Sequence, residues 1–120
     1  MCGIMGWTNF TPAVSRMFPI LADEMENRGS TSWGISNGLA CYKKMGSITS
    51  NFDIRLEDWC GPSTGAIIHT RAPSGGTTRT LDAAHPHRFI KQVAQQNDRT
   101  IFHSIIGIHN GYLSCHDTLK

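Results

Sequence analysis

Cysteine stands second in the chain, behind Met1 and ahead of glycine, in the opening run MCGIMGW. Removal of Met1 would leave Cys2 with both a thiol and a free α-amine. An α-amine titrates near about 7.7–8.0 and a thiol near about 8.5, so one residue would hold a base and a nucleophile suited to neutral pH. A cysteine near a chain end is unspecific by itself, because chain ends tolerate most residues. An amide hydrolase also needs donors for an oxyanion and a group that holds its substrate. Asn110-Gly111 offers a side-chain amide followed by a backbone N–H with no side chain in the way. Arg71 offers a bidentate partner for a carboxylate. Each also has a plainer reading. Asn110-Gly111 is a common turn pair, and an arginine that ends an apolar run is often a solvated charge.

These residues need elements to carry them. Cys2 heads a short apolar run, CGIMGW, which reads as a strand. Arg71 closes TGAIIHTR and Asn110 follows TIFHSIIGIH, both of which read as buried strands. Neighbouring positions in one sheet would bring the three residues to one rim, where strand ends commonly build sites. Between the first two strands, TPAVSRMFPILADEMENRG predicts a helix. Thr11 is its N-cap, Pro12 occupies the first turn and Gly29 is the stop. Val14, Met17, Phe18, Leu21 and Met25 recur at helical spacing as a buried stripe. Pro19 inside that pattern predicts a kink or a fresh start, since an interior proline costs about 3 kcal/mol. STSWGISNGLACYKKMGSI reads as a hairpin turning at Asn37-Gly38, and NFDIRLEDW as a short helix. Ser74-Gly75-Gly76 opens a loop that runs through Ala84-His85-Pro86-His87, and residues 89–99 fit either helix or strand.

The composition sets the outer limits. A chain of 120 residues is one domain or part of one. Its 39% hydrophobic and 17% charged residues describe a packed domain rather than a disordered one. The 11 basic and 9 acidic residues are scattered, with no basic cluster longer than Lys43-Lys44, so nothing indicates a nucleic-acid surface. No apolar run approaches the roughly 20 residues that span a bilayer, and the N-terminus lacks the basic, uninterrupted pattern of a signal peptide. The expectation is a soluble, cytoplasmic protein with no membrane partner. Its four cysteines, Cys2, Cys41, Cys60 and Cys115, are irregularly spaced and expected to be free thiols. His85, His87, Cys115 and His116 do not have the spacing of a structural zinc site, so no metal and no cofactor is expected.

Five runs occur in order over nearly the whole chain: MCGIMGW, ENRGSTSWGIS, GAIIHTRAPSGG, DAAHPHRF and IIGIHNGYLSCHDTLK. Together they resemble the successive motifs of the class II glutamine amidotransferases, which are N-terminal nucleophile (Ntn) hydrolases. The likeness is greatest to the glutaminase domain of the glucosamine-6-phosphate synthase group. The resemblance implies an α+β fold, the αββα sandwich of that family, with residues 1–120 as its N-terminal portion. It implies hydrolysis of L-glutamine, with the ammonia passing to a synthase domain or subunit, and it allows a homo-oligomer. Carried over by position, Cys2 resembles the nucleophile, and Asn110 and Gly111 the oxyanion hole. Arg71 resembles the arginine that binds the substrate α-carboxylate, and Ser74 and Gly75 the loop beside that carboxylate. Arg28 and Gly29 resemble the supporting turn, and His85 belongs to the Ala-His-Pro-His segment. This chain departs from the pattern at Ala72, where the family often has Trp, and at Thr31, where it has Asp. The stretch between His87 and Thr100 is also longer, and the family's acidic residue for the substrate amino group would fall beyond Lys120. Two other readings fit the same residues. One is a non-catalytic structural module derived from an Ntn domain. The other is an Ntn amidohydrolase acting on a different γ-glutamyl or N-acyl amide.

Overall fold

A computed structural model describes residues 1–61, 65–73, 79–96 and 99–110, without the side chains of 91–96 and 99–103. The first apolar run forms strand β1 (Gly3–Trp7), followed by helix α1 (Pro12–Glu26). Strands β2 (Ser32–Ser36) and β3 (Cys41–Met45) form the expected hairpin. Its connection is a four-residue loop, in which the Asn37 side-chain oxygen accepts from the backbone N–H groups of Leu39 and Ala40. Two short helices follow, α2 (Ile48–Asn51) and α3 (Leu56–Trp59), and then strand β4 (Ala66–Arg71). A long hairpin of β5 (His87–Gln96) and β6 (Arg99–Gly107) completes the described chain. The result is an α+β domain with a four-stranded antiparallel sheet in the order β1-β4-β2-β3 and a separate two-stranded antiparallel sheet. Among the described residues no helix is long and apolar enough to cross a membrane.

β4 is central, pairing with β1 on one side and β2 on the other. Alternation along the strands divides the sheet into two faces. One carries Trp33, Ile35, Ala66 and Ile68, which pack with Phe18, Ala22 and Met25 of α1 and with Ile48 and Leu56. Burial of each large apolar side chain in this cluster contributes about 1.5–3 kcal/mol. Phe52 packs at a tilt against Phe18 and Trp33, at ring separations of 4.4 and 4.9 Å, and the Trp33 indole N–H donates to Asn51. The other face presents Gly34 and His69, paired across β2 and β4. Residues 84–86 lie against it. A Cβ on Gly34 would fall 2.0 Å from the His85 carbonyl oxygen, so only glycine admits that segment.

Several expectations are corrected. α1 makes no fresh start at Pro19 and continues through it as one helix, because burial of Phe18, Ala22 and Met25 on one face outweighs the proline cost. Its buried sector is narrower than the sequence stripe: Met17 and Leu21 are exposed, and the small Ala22 is buried in their place. Thr11 has the extended backbone of an N-cap but makes no side-chain capping bond. The helix ends at Asn27, so Gly29 is not its stop. A Cβ on Gly29 would instead lie 2.4 Å from the Arg71 carbonyl carbon, and the glycine lets the chain after α1 close on the end of β4. NFDIRLEDW is not one helix. It breaks between α2 and α3, where Asp53 pairs with Lys44 at 2.6 Å. The ambiguous stretch after His87 is a strand, since it zips against β6 over nearly its full length. Gly111, Ser74, Gly75, Cys115 and His116 lie outside the described residues.

Candidate functional site

Cys2 sits just ahead of β1. The register pairs Gly3 with Thr70, so the next position outward sets Cys2 opposite Arg71 on the edge of the sheet. The glycine that follows Cys2 has a structural cause. The Thr70 hydroxyl accepts from the Gly3 N–H at 3.2 Å and donates to the Met25 carbonyl at 2.8 Å, tying the start of β1 to the end of α1. A Cβ at position 3 would stand 2.6 Å from that hydroxyl oxygen. Gly3 thus holds Cys2 close against the β4 terminus, and the Cys2 thiol points to the Ala72 carbonyl at 3.8 Å.

Asn110 reaches the same place from the far end of the chain. Its Oδ1 accepts from the Cys2 N–H at 3.1 Å, and its Nδ2 donates to the Cys2 carbonyl at 3.1 Å. One carboxamide thus satisfies both main-chain groups of Cys2, as a neighbouring strand would. The same Nδ2 carries a second hydrogen. The structure therefore brings together Cys2, Asn110 and the Arg71 end of β4. Thr31 N–H donates to the Arg71 carbonyl at 3.0 Å, which closes the turn after Gly29 onto that strand end.

A cleft of about 550 Å³ opens beside Cys2, with Ile4, Leu21, Glu24, Arg28 and Asn110 in its wall. Arg28 Nη1 donates to the Met1 Sδ at 3.7 Å, so Met1, 81% exposed, touches one wall residue of this cleft. Arg71 is not among the lining residues. A second hollow of about 390 Å³ lies between Trp7, Asn37, Gly38 and Ile106 and has no ionisable side chain in its wall. The first cleft is therefore the better candidate for chemistry.

Behind Asn110, four histidines gather. The His85 ring lies 4.2 Å from that of His69, 4.5 Å from His87 and 4.6 Å from His109. His69 is fully buried and His85 nearly so. Burial pushes His69 down to about 4 and His85 down to about 3, helped by the positive charge their neighbours would carry. Both are neutral at physiological pH. Among the described residues no three His, Cys, Asp or Glu side chains are arranged to share a metal ion. Sequence reasoning did not single out His69 or Glu24. His69 is hidden inside the apolar run AIIHTR, and Glu24 reads as an ordinary polar face of α1.

No protein-family model, curated protein or solved structure matches this chain.

Proposed function

We propose that this protein hydrolyses the side-chain amide of L-glutamine through Cys2 as an N-terminal nucleophile, within an Ntn-type αββα domain that delivers ammonia to a synthase domain or subunit. One observation carries the reading. A carboxamide 108 residues away in sequence is hydrogen-bonded to both main-chain groups of the residue that bears the thiol. A turn asparagine has no general reason to lie there, whereas an oxyanion donor must lie beside its nucleophile.

The Cys2 α-amine becomes available when Met1 is removed. With Met1 attached, that nitrogen is a peptide N–H, which has no basic lone pair. Once free, the amine takes the thiol proton as Sγ attacks the substrate amide carbon, and a C–S bond forms. The negative charge on the former carbonyl oxygen is met by the Asn110 amide and the Gly111 N–H. Collapse of this intermediate breaks the C–N bond, and the nitrogen leaves as ammonia with the proton returned by the amine. Water then cleaves the γ-glutamyl thioester, giving glutamate and the restored thiol. Arg71, opposite Cys2 across the sheet edge, would hold the substrate α-carboxylate with Ser74 and Gly75. Arg28 and Gly29 support the turn beside the nucleophile.

The direct test is ammonia release from L-glutamine by the wild-type protein and by Cys2→Ala. The wild-type protein should turn over and the variant should show no activity above background. Equal activity in both would remove Cys2 from the mechanism.

A further inference from the structure

The β5–β6 ladder ends at the His87–Gly107 pair, yet Asn110 lies three residues beyond it. Something other than sheet pairing must fix the carboxamide, since Asn110 is itself exposed. The two main-chain polar groups of His109 supply the answer. Its carbonyl accepts from His69 Nε2 at 3.1 Å, and its N–H donates to His85 Nδ1 at 3.4 Å. We propose that His69 and His85 are positioning residues that clamp the His109 main chain and so hold Asn110 against Cys2. This rests on the role assigned to Asn110 above.

The clamp has a rigid base. His69 lies in the middle of β4, paired to Ile4 on one side and Gly34 on the other. His85 is seated on that same Gly34 through its carbonyl. Both imidazoles are thus referenced to one point of the sheet, and the Asn110 Cα is only about 3.8 Å from that of the clamped residue. The hydrogen bonds also fix the tautomers. His69 must carry its proton on Nε2, to donate to a carbonyl. His85 must leave Nδ1 bare, to accept an N–H. The buried Nδ1 of His69 has no partner among the described residues, which suits a ring held for what its other nitrogen does. A second proton on His85 would set an N–H against the His109 N–H and open the clamp. The titratable and charged groups that face His85 are His69, His87, His109 and Arg71, and positive charge on any of them opposes that proton.

Paired substitutions test the clamp. His69→Gln keeps an N–H donor near the Nε2 position, and His69→Met fills similar length without one. His85→Asn keeps an acceptor near the Nδ1 position, and His85→Leu does not. In folded protein, checked by circular dichroism, the Met and Leu variants should lose tenfold or more in kcat with KM within about twofold. The Gln and Asn variants should recover turnover to within about threefold of wild type. The side-chain amide signals of Asn110, followed by ¹⁵N NMR, should shift and exchange faster with solvent in the Met and Leu variants only. Those signals are read whether or not glutamine is hydrolysed, so an inactive wild-type protein would remove the glutaminase reading while the clamp is still judged. Unchanged Asn110 signals in the Met and Leu variants would overturn the clamp. So would equal damage from the conservative and apolar replacements.

Discussion

A single side-chain amide, that of Asn110, decides how Cys2 is presented. It occupies both the N–H and the carbonyl of Cys2, leaving the second Nδ2 hydrogen for an incoming oxygen. Loss of one oxyanion donor typically costs about 2.7–4 kcal/mol in the barrier. Asn110→Ala should therefore lower kcat by about 10²–10³ with a smaller change in KM, measured by steady-state ammonia release. Arg71→Ala should behave differently, because a carboxylate is bound alike in ground and transition states. It should raise KM with kcat nearly unchanged. The reverse pattern would exchange the two roles. The nearness of Cys2 and Arg71 was legible in the sequence because β1 and β4 are neighbours in one sheet. Asn110, however, follows β6 of the separate two-stranded sheet and meets Cys2 through its side chain, so the shared rim of a single sheet expected for all three is not how they come together. The histidines behind Asn110 were less legible. His85 stood out in its Ala-His-Pro-His segment, but its bond to His109 spans 24 residues, and that from His69 spans 40. No local pattern announces such pairs.

At the scale of elements, the glycines of the site act by letting backbones meet. Gly3 admits Thr70, Gly29 admits the end of β4, and Gly34 admits the His85 carbonyl. Gly38 is different, with φ near +88° and open space around it. Gly34→Ala should destabilise the fold by about 1–3 kcal/mol through overpacking, and it should also displace the segment that carries His85. Gly38→Ala should cost about 1–2 kcal/mol, for its left-handed backbone alone. Urea unfolding measures both. Only the first should also lower turnover, and equal effects on turnover would contradict the packing account. The same scale shows where periodicity succeeds and fails. The spacing of apolar residues placed α1, β1 and β4 correctly. It did not show which sector of α1 is buried, because Ala22 carries little hydrophobic signal and the exposed Met17 and Leu21 carry much. Nor did it show the break between α2 and α3, where Phe52 and Arg55 have extended backbone and Asp53 pairs with Lys44.

For the whole molecule, buried neutral histidines are one source of stability that acid removes. His69 and His85 titrate near about 4 and about 3 in the folded protein, against about 6.5 when unfolded. The unfolded chain thus binds more protons between these values. Their contribution to stability is complete above about pH 6.5 and falls as pH drops toward about 4 and then about 3, at up to about 1.4 kcal/mol per pH unit for each ring. His69→Gln should flatten that dependence in urea unfolding at successive pH values, and an unchanged slope would show that His69 is already charged in the fold. The nucleophile itself is best tested on the intact protein. Molecules with and without Met1 would be treated with a γ-glutamyl electrophile, and adducts would be counted by intact mass and mapped by peptide sequencing. The account predicts one adduct per chain, on Cys2, and only where Met1 has been removed. Labelling at Cys41, Cys60 or Cys115, or equal labelling of chains that keep Met1, would contradict it.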